Sequence, residues 1–134
     1  MNLDRDSADR FARDWLDAWN TGDLPRVLEH YTDDFEMISP FIAKVVGEPS
    51  GKLAGKSQVE AYWRSALQQL PELHFELLDV LVGAESIALY YKTSFGKRAV
   101  EVLMLNNEGL VTRGFAHYID EHETFANQGQ PLLN

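Results

Sequence analysis

The sequence predicts an α+β fold, with helices packed on one face of a mainly antiparallel sheet. Apolar residues recur at helical spacing in three segments before Pro71, four runs of strand-forming residues follow it, and short turns join those runs. Helices in one block and strands in the next lay the helices on one face of the sheet instead of alternating them with its strands. The 134 residues, 45% hydrophobic and 25% charged, suit a single domain over positions 1–134 that buries a core without disulfides or metals.

Ala8, Phe11, Ala12, Trp15, Leu16, Ala18 and Trp19 fall on one stripe and mark the first helix. Asp6 or Ser7 supplies its cap, Asp9 complements the positive end of its dipole, and Gly22 accepts the left-handed conformation that stops it near Asn20. A shorter second helix has Asp23 as cap, Pro25 in its first turn, and Val27, Leu28 and Tyr31 as its buried stripe. Asp33-Asp34 turns the chain into a short strand, Phe35–Ser39, which Pro40 ends because it has no N–H to donate. From Phe41 to Gly55, three glycines and one proline without any period predict a long loop of the kind that rims a binding site. Ser57 and Glu60 then form a capping box for a third helix that carries Val59, Tyr62, Trp63, Ala66, Leu67 and Leu70 and ends before Pro71.

The strand runs are Leu73–Val82, Ile87–Phe95, Arg98–Asn106 and Leu110–Ile119, an antiparallel meander joined by glycine-containing turns. Phe75, Leu77 and Leu81 on one face and Leu78, Val80 and Val82 on the other leave a second apolar face to cover. A second copy of the sheet covers it most simply, giving a two-fold homodimer. Residues 121–134 read as a loose polar tail.

Composition narrows function. With 21 acidic and 12 basic side chains, the net charge of -9 repels a phosphate backbone, so nucleic acid is not an expected partner. The absence of cysteine removes thiolate chemistry and suits a reducing cytoplasm. The first residues lack the apolar core of a secretory signal, and no apolar run approaches the roughly 18 residues of a membrane span. The expected location is therefore cytoplasmic, with no membrane partner. His30 and His74 stand alone, and His117 with His122 lacks a third ligand, so no metal is expected. Gly55-Lys56-Ser57 reads as a turn and helix cap, because a phosphate-binding loop would need glycine where Ser50 stands.

In their order along the chain, Ala18-Trp19-Asn20-Thr21-Gly22-Asp23-Leu24, His30-Tyr31-Thr32-Asp33-Asp34-Phe35 and Gly55-Lys56-Ser57 resemble the nuclear transport factor 2-like superfamily, over about residues 5 to 120. The SnoaL-like and ketosteroid isomerase branches are nearest. The resemblance implies a cone-shaped α+β barrel, usually dimeric, whose interior binds a small organic molecule without a cofactor. It specifies a fold and not a reaction. Ketosteroid isomerases use a carboxylate base on the first strand, a tyrosine on the first helix and a protonated aspartate on the sheet. Carried over, these positions fall at Ser39, at Trp15 and near Glu101, and the essential acid of the SnoaL-like cyclases falls near Ala116. Only Glu101 keeps a carboxyl group. A one-residue change of strand register would bring His117 to that face in place of Ala116.

Glu101 lies in Val100-Glu101-Val102-Leu103, where burial without a partner raises a carboxyl pKa and makes a general acid. The alternatives are that it faces solvent or pairs with Lys92 or Arg113. An imidazole is ordinarily suited to proton transfer near neutrality, so His117 suits either a proton relay or a hydrogen-bonded place at the dimer surface. The candidate catalytic set is Glu101, His117 and Ser39. The candidate substrate-binding set is Trp15, Trp19, Tyr31, Phe35, Met37, Tyr62, Trp63, Leu103 and Tyr118, since a cone leaves part of its aromatic lining facing the hollow. Two functions remain open: a cofactor-free isomerase or cyclase acting on a hydrophobic polyketide- or steroid-like molecule, and a ligand- or partner-binding module without turnover.

Overall fold

The computed structural model describes residues 3–120, so the expected tail at 121–134 lies outside the described residues. Helix α1, Arg5–Asn20, buries Ala8, Ala12, Trp15, Ala18 and Trp19. Its cap is Asp4, whose side chain accepts the Ser7 N–H at 2.8 Å. This corrects the expected cap at Asp6 or Ser7, both of which lie inside the first turn. At the other end, the Asn20 amide accepts the Phe75 N–H at 2.7 Å and donates to the Phe75 carbonyl at 2.9 Å, stitching the helix to the sheet. Helix α2, Leu24–Leu28, has the expected Asp23 cap and a first-turn proline.

Strand β1 begins earlier than its sequence suggests, at Tyr31, and runs to Ile38. Asp33 and Asp34 are therefore strand residues and not a turn. They fall where the pairing with β6 is irregular, between Tyr31 and Glu36, so two exposed carboxylates fit without meeting the core. The expected loop after Phe41 is also structured. It holds a π-helical turn at Ile42–Val46 and a short strand, β2, at Lys52–Ala54, antiparallel to β1. Helix α3 spans Lys56–Gln69. Gly55, at φ 89°, occupies the cap position with no side-chain cap bond, and its N–H is fixed to the Phe35 carbonyl at 2.8 Å. Ser57 thus sits within the first turn, and the capping box does not form.

Strands β3 (Phe75–Val82), β4 (Ser86–Thr93), β5 (Lys97–Leu105) and β6 (Val111–Asp120) complete one six-stranded sheet of order β2-β1-β6-β5-β4-β3. Every pairing is antiparallel except β1 with β6. The inner face shows the two-residue period of strands: Ile87, Leu89, Tyr91 and Thr93 on β4 and Ala99, Glu101 and Leu103 on β5 are buried. In β3 a register shift between Leu77 and Asp79 resets that alternation. Phe75 and Val80 are consequently both buried, while Leu78, Leu81 and Val82 are exposed, which corrects the two faces expected from strict alternation. No described helix is long and apolar enough to cross a membrane.

Candidate functional site

A cavity of about 340 Å³ lies between α3, the π-helical turn and the inner face of the sheet. Among the predicted site residues, Trp19, Met37, Ser39, Tyr62, Trp63, Glu101 and Tyr118 line it. Trp15, Tyr31, Phe35 and Leu103 do not. They are at most 1% exposed and pack behind the cavity as core. Trp15 Nε1 donates to the Tyr31 hydroxyl at 3.0 Å, and the Phe35 ring rests 4.5 Å from that of Tyr31 and 5.8 Å from that of Trp63.

The β5–β6 register places His117. Glu101 pairs with Ala116 and Val100 with His117, so the Ala116 side chain shares the inner face and His117 stands on the outer one. His117 is exposed, with Nδ1 at 3.2 Å from the Phe115 carbonyl. It is thereby removed from the cavity and from the candidate catalytic set. Ala116, at 5% exposure, puts a methyl group where the resemblance implies an acid.

Glu101 is 6% exposed. Leu89 stands opposite it across β4, and Tyr91 lies on the diagonal, close enough for its hydroxyl to donate to Oε1 at 2.8 Å. Oε2 has no hydrogen-bond partner among the described residues. Burial raises the carboxyl to a pKa of about 7 from 4.5, with the Tyr91 bond pulling the other way. Neither alternative partner reaches it: Lys92 follows Tyr91 on the opposite strand face, and Arg113 is paired with Glu36 at 3.1 Å.

Ser39 is 3% exposed, and its Oγ accepts the Phe41 N–H at 3.2 Å. Its backbone is clamped by Gly51, whose carbonyl accepts the Ser39 N–H at 2.8 Å. Gly51 has φ 71° and leaves only 3.0 Å between a would-be Cβ and the Ser39 carbonyl oxygen, so a larger residue there would push Ser39 out of place. Burial pushes the Tyr62, Tyr91 and Tyr118 hydroxyls above their usual range. Ser39 hydrogen bonding opposes that rise at Tyr62 and Tyr118, and the charge of Glu101 adds to it at all three. The cavity is thus an aromatic chamber with one titratable carboxyl and a cluster of hydroxyls that stay protonated.

Sequence reasoning missed several lining residues. Tyr91 and Phe75 carried a usable signal, since both lie on the inward phase of apolar strands. Phe41 and Val45 lie in the segment expected to rim a binding site, but no helical or strand period runs through it to single out either residue. Lys97 reaches the lining from the start of β5, its Nζ 2.6 Å from Asp120 Oδ1 and 5.9 Å from the Phe41 ring centre. Among the described residues, no three His, Cys, Asp or Glu side chains are grouped to hold a metal ion.

The site can seat an apolar molecule against aromatic rings and offer it one carboxyl that gains or loses a proton near neutrality. The fold is shared with solved structures. A SnoaL-like protein of unknown function from Burkholderia thailandensis is 45% identical, with 89% of this chain and 99% of that one covered and a TM-score of 0.86. AclR, a candidate hydroxylase from Streptomyces galilaeus, aligns over 95% of this chain and 98% of its own at 14% identity, TM-score 0.69. A candidate isomerase of the SnoaL-like family from Agrobacterium tumefaciens aligns over 84% and 97% at 16% identity, TM-score 0.66. At such identities the last two share only the fold. A search of curated proteins finds no match. The family model of the SnoaL-like domain matches residues 12–119, most of the chain, and the protein belongs to the SnoaL-like family.

Proposed function

We propose that the protein binds a small hydrophobic cyclic molecule in the cavity and that Glu101 exchanges a proton with it, in a cofactor-free isomerase- or cyclase-type reaction. The observation that carries this reading is the Glu101 carboxyl itself: buried, lining the cavity, held through one oxygen by Tyr91, and poised at a pKa of about 7. A carboxyl at that pKa is part protonated at neutral pH, so it can donate to a carbonyl oxygen or accept from an acidic C–H. Positioned acid–base catalysis of this sort contributes about 10²–10⁴-fold to rate.

A second reading, binding without turnover, has its own support. The positions that the isomerases use for base and tyrosine hold Ser39, whose hydroxyl accepts a backbone N–H, and Trp15, which does not line the cavity. In either case the protein acts in the cytoplasm as a homodimer built on the outer sheet face. The register supports that face: Leu81, Ala88, Val102, Phe115 and Ile38 form one apolar row across five strands, with Leu81 54% exposed.

Native mass spectrometry of the purified protein, followed by identification of any released small molecule, tests both readings. An apolar cyclic compound on a dimer supports the site and supplies a substrate to incubate. Conversion that drops at least about 100-fold in Glu101→Gln establishes the enzyme. Return of the compound unchanged leaves the binding module, and an empty monomer overturns both.

A further inference from the structure

The apolar lining does not stop at the cavity. A groove of about 300 Å³ adjoins it, and Gln69, Leu70, Leu73 and Phe95 line both. The end of α3, where Leu70 precedes Pro71, and the turn between β4 and β5, which carries Phe95, border this groove. Hydrogen bonds build it into the fold. Ser94 Oγ donates to the Glu72 carbonyl at 3.0 Å and accepts the His74 N–H at 3.0 Å, and the Ser94 N–H donates to the His74 carbonyl at 2.9 Å. Thr93 Oγ1 closes the turn, accepting the Lys97 N–H at 3.0 Å and donating to the Lys97 carbonyl at 2.8 Å. The turn thus holds its shape without an aromatic ring, and turns of this kind ordinarily carry small or polar residues. Yet Phe95 is 38% exposed and Leu70 is 37% exposed, so both present apolar surface that a ligand can reach. A second depression adjoins the cavity at the π-helical turn, but it offers an apolar chain two charged neighbours, Glu48 and Lys52, against the one, Glu72, of the groove.

We infer that the site takes an elongated ligand: a ring system in the cavity and an uncharged hydrocarbon tail that leaves past Leu70 and Phe95 and lies in the groove. Leu70 and Phe95 are then the residues that set specificity for tail length. This rests on the cavity being a ligand site, and it narrows the ligand class from apolar cyclic molecules to those bearing an alkyl or alkenyl side chain. Full burial of a methylene is worth about fourfold in affinity. A tail laid against Leu70, Pro71, Leu73 and Phe95 with one side left to solvent gains about half of that free energy, or about twofold for each methylene. Glu72, exposed at the groove, and the net charge of -9 oppose a tail that ends in a carboxylate. No covalent bond changes.

The test uses two probes with the same rings and hydroxyl, 6-methyl-2-naphthol and 6-pentyl-2-naphthol, each titrated into the full chain by calorimetry. The readout is the ratio of their affinities, which cancels any effect a substitution has on the ring site. In the unaltered protein the pentyl probe should bind about 15-fold more tightly than the methyl probe, about twofold for each added methylene. Leu70→Ser and Phe95→Ser should each cut that ratio severalfold. Val46→Ser, in the depression at the π-helical turn, should leave it unchanged. Equal affinity of the two probes for the unaltered protein overturns the inference while leaving the ligand site standing. A ratio that survives both Leu70→Ser and Phe95→Ser, or one that falls in Val46→Ser instead, also overturns it and sends the tail elsewhere. Failure of both probes to bind removes the site and the inference together. Should the variants not fold, nuclear Overhauser contacts in the unaltered protein decide: contacts from the end of the pentyl chain to the Phe95 ring support the groove, and contacts confined to Met37, Tyr62 or Tyr118 in the cavity overturn it.

Discussion

Two buried polar pairs, Trp15 with Tyr31 and Glu101 with Tyr91, differ in what they leave over. In the first, the one polar atom of the indole donates to the phenol at 3.0 Å, and neither residue lines the cavity. In the second, the phenol hydrogen goes to Oε1 at 2.8 Å, Oε2 keeps no described partner, and both residues line the cavity. The closed pair fixes the core: its indole N–H is spent, and it lies away from the cavity. The open pair holds a carboxyl in place and keeps its proton exchangeable. Burial is almost the same at the two pairs, so burial alone does not separate structural from functional polar groups in this fold. Under the proposed function, an unpaired oxygen on a cavity-lining carboxyl does.

The largest effect that can break this contrast is the dependence of stability on pH. Glu101 titrates at about 7 in the folded protein and near 4.5 when unfolded. Below 4.5 both states hold the proton and no penalty exists. Between 4.5 and 7 the unfolded chain releases it while the folded protein keeps it, so stability falls as pH rises, by about 3 kcal/mol in all. Above 7 the penalty is constant. Glu101→Gln stays neutral and escapes it, so the variant should gain about 3 kcal/mol relative to the parent between pH 4 and pH 8 by urea unfolding. Carboxylates held low by partners, such as Asp14 beside Arg26, are common to both proteins and cancel in the difference. A difference that stays flat with pH would mean that Glu101 is hydrated and the pair is not open in the sense argued.

The closed pair answers differently. Tyr31→Phe deletes the acceptor of the Trp15 N–H and leaves a buried donor unpaired, at a cost of about 1–3 kcal/mol. That cost should be the same at pH 4 and pH 8, since neither partner titrates in that window, and binding of apolar probes in the cavity should be unaffected. A loss of probe affinity in Tyr31→Phe would show that the two pairs are coupled, through the edge-on contact of the Trp15 and Tyr91 rings at 5.5 Å and the Phe75 ring that both touch.

The same contrast explains what the sequence disclosed. The block of helices, the meander and the inward phase of β4 and β5 were legible because burial imposes a period, and Glu101 stood out as a charge on that phase. The register that sends Ala116 inward and His117 outward is a tertiary fact: each assignment satisfies a two-residue alternation equally well from sequence alone. Asp4 was passed over because an N-cap precedes the periodic stripe by a distance that periodicity does not set. The π-helical turn carries no amphipathic signature, so the segment was legible as a rim while Phe41 and Val45 could not be singled out within it. Trp15 and Trp19 look interchangeable on one helix face. Only the three-dimensional arrangement gives one an acceptor and withholds it from the other.

The smallest effect is the most discriminating. Removing the Tyr91 hydroxyl in Tyr91→Phe takes away the bond that favours the ionised form of Glu101, while burial, the larger influence, stays. The Glu101 midpoint should therefore move further above 7, and by less than burial has already raised it, in a carbon NMR titration of the carboxyl. The pH window over which stability falls should lengthen upward to match. An unchanged midpoint would mean that another hydroxyl, such as that of Tyr118, takes over the donation to Oε1, making the cluster redundant. A midpoint that drops would mean that water enters where the hydroxyl was and rehydrates the carboxylate. The three outcomes separate a carboxyl tuned by one tyrosine from one tuned by the whole cluster, and from one kept dry by packing alone.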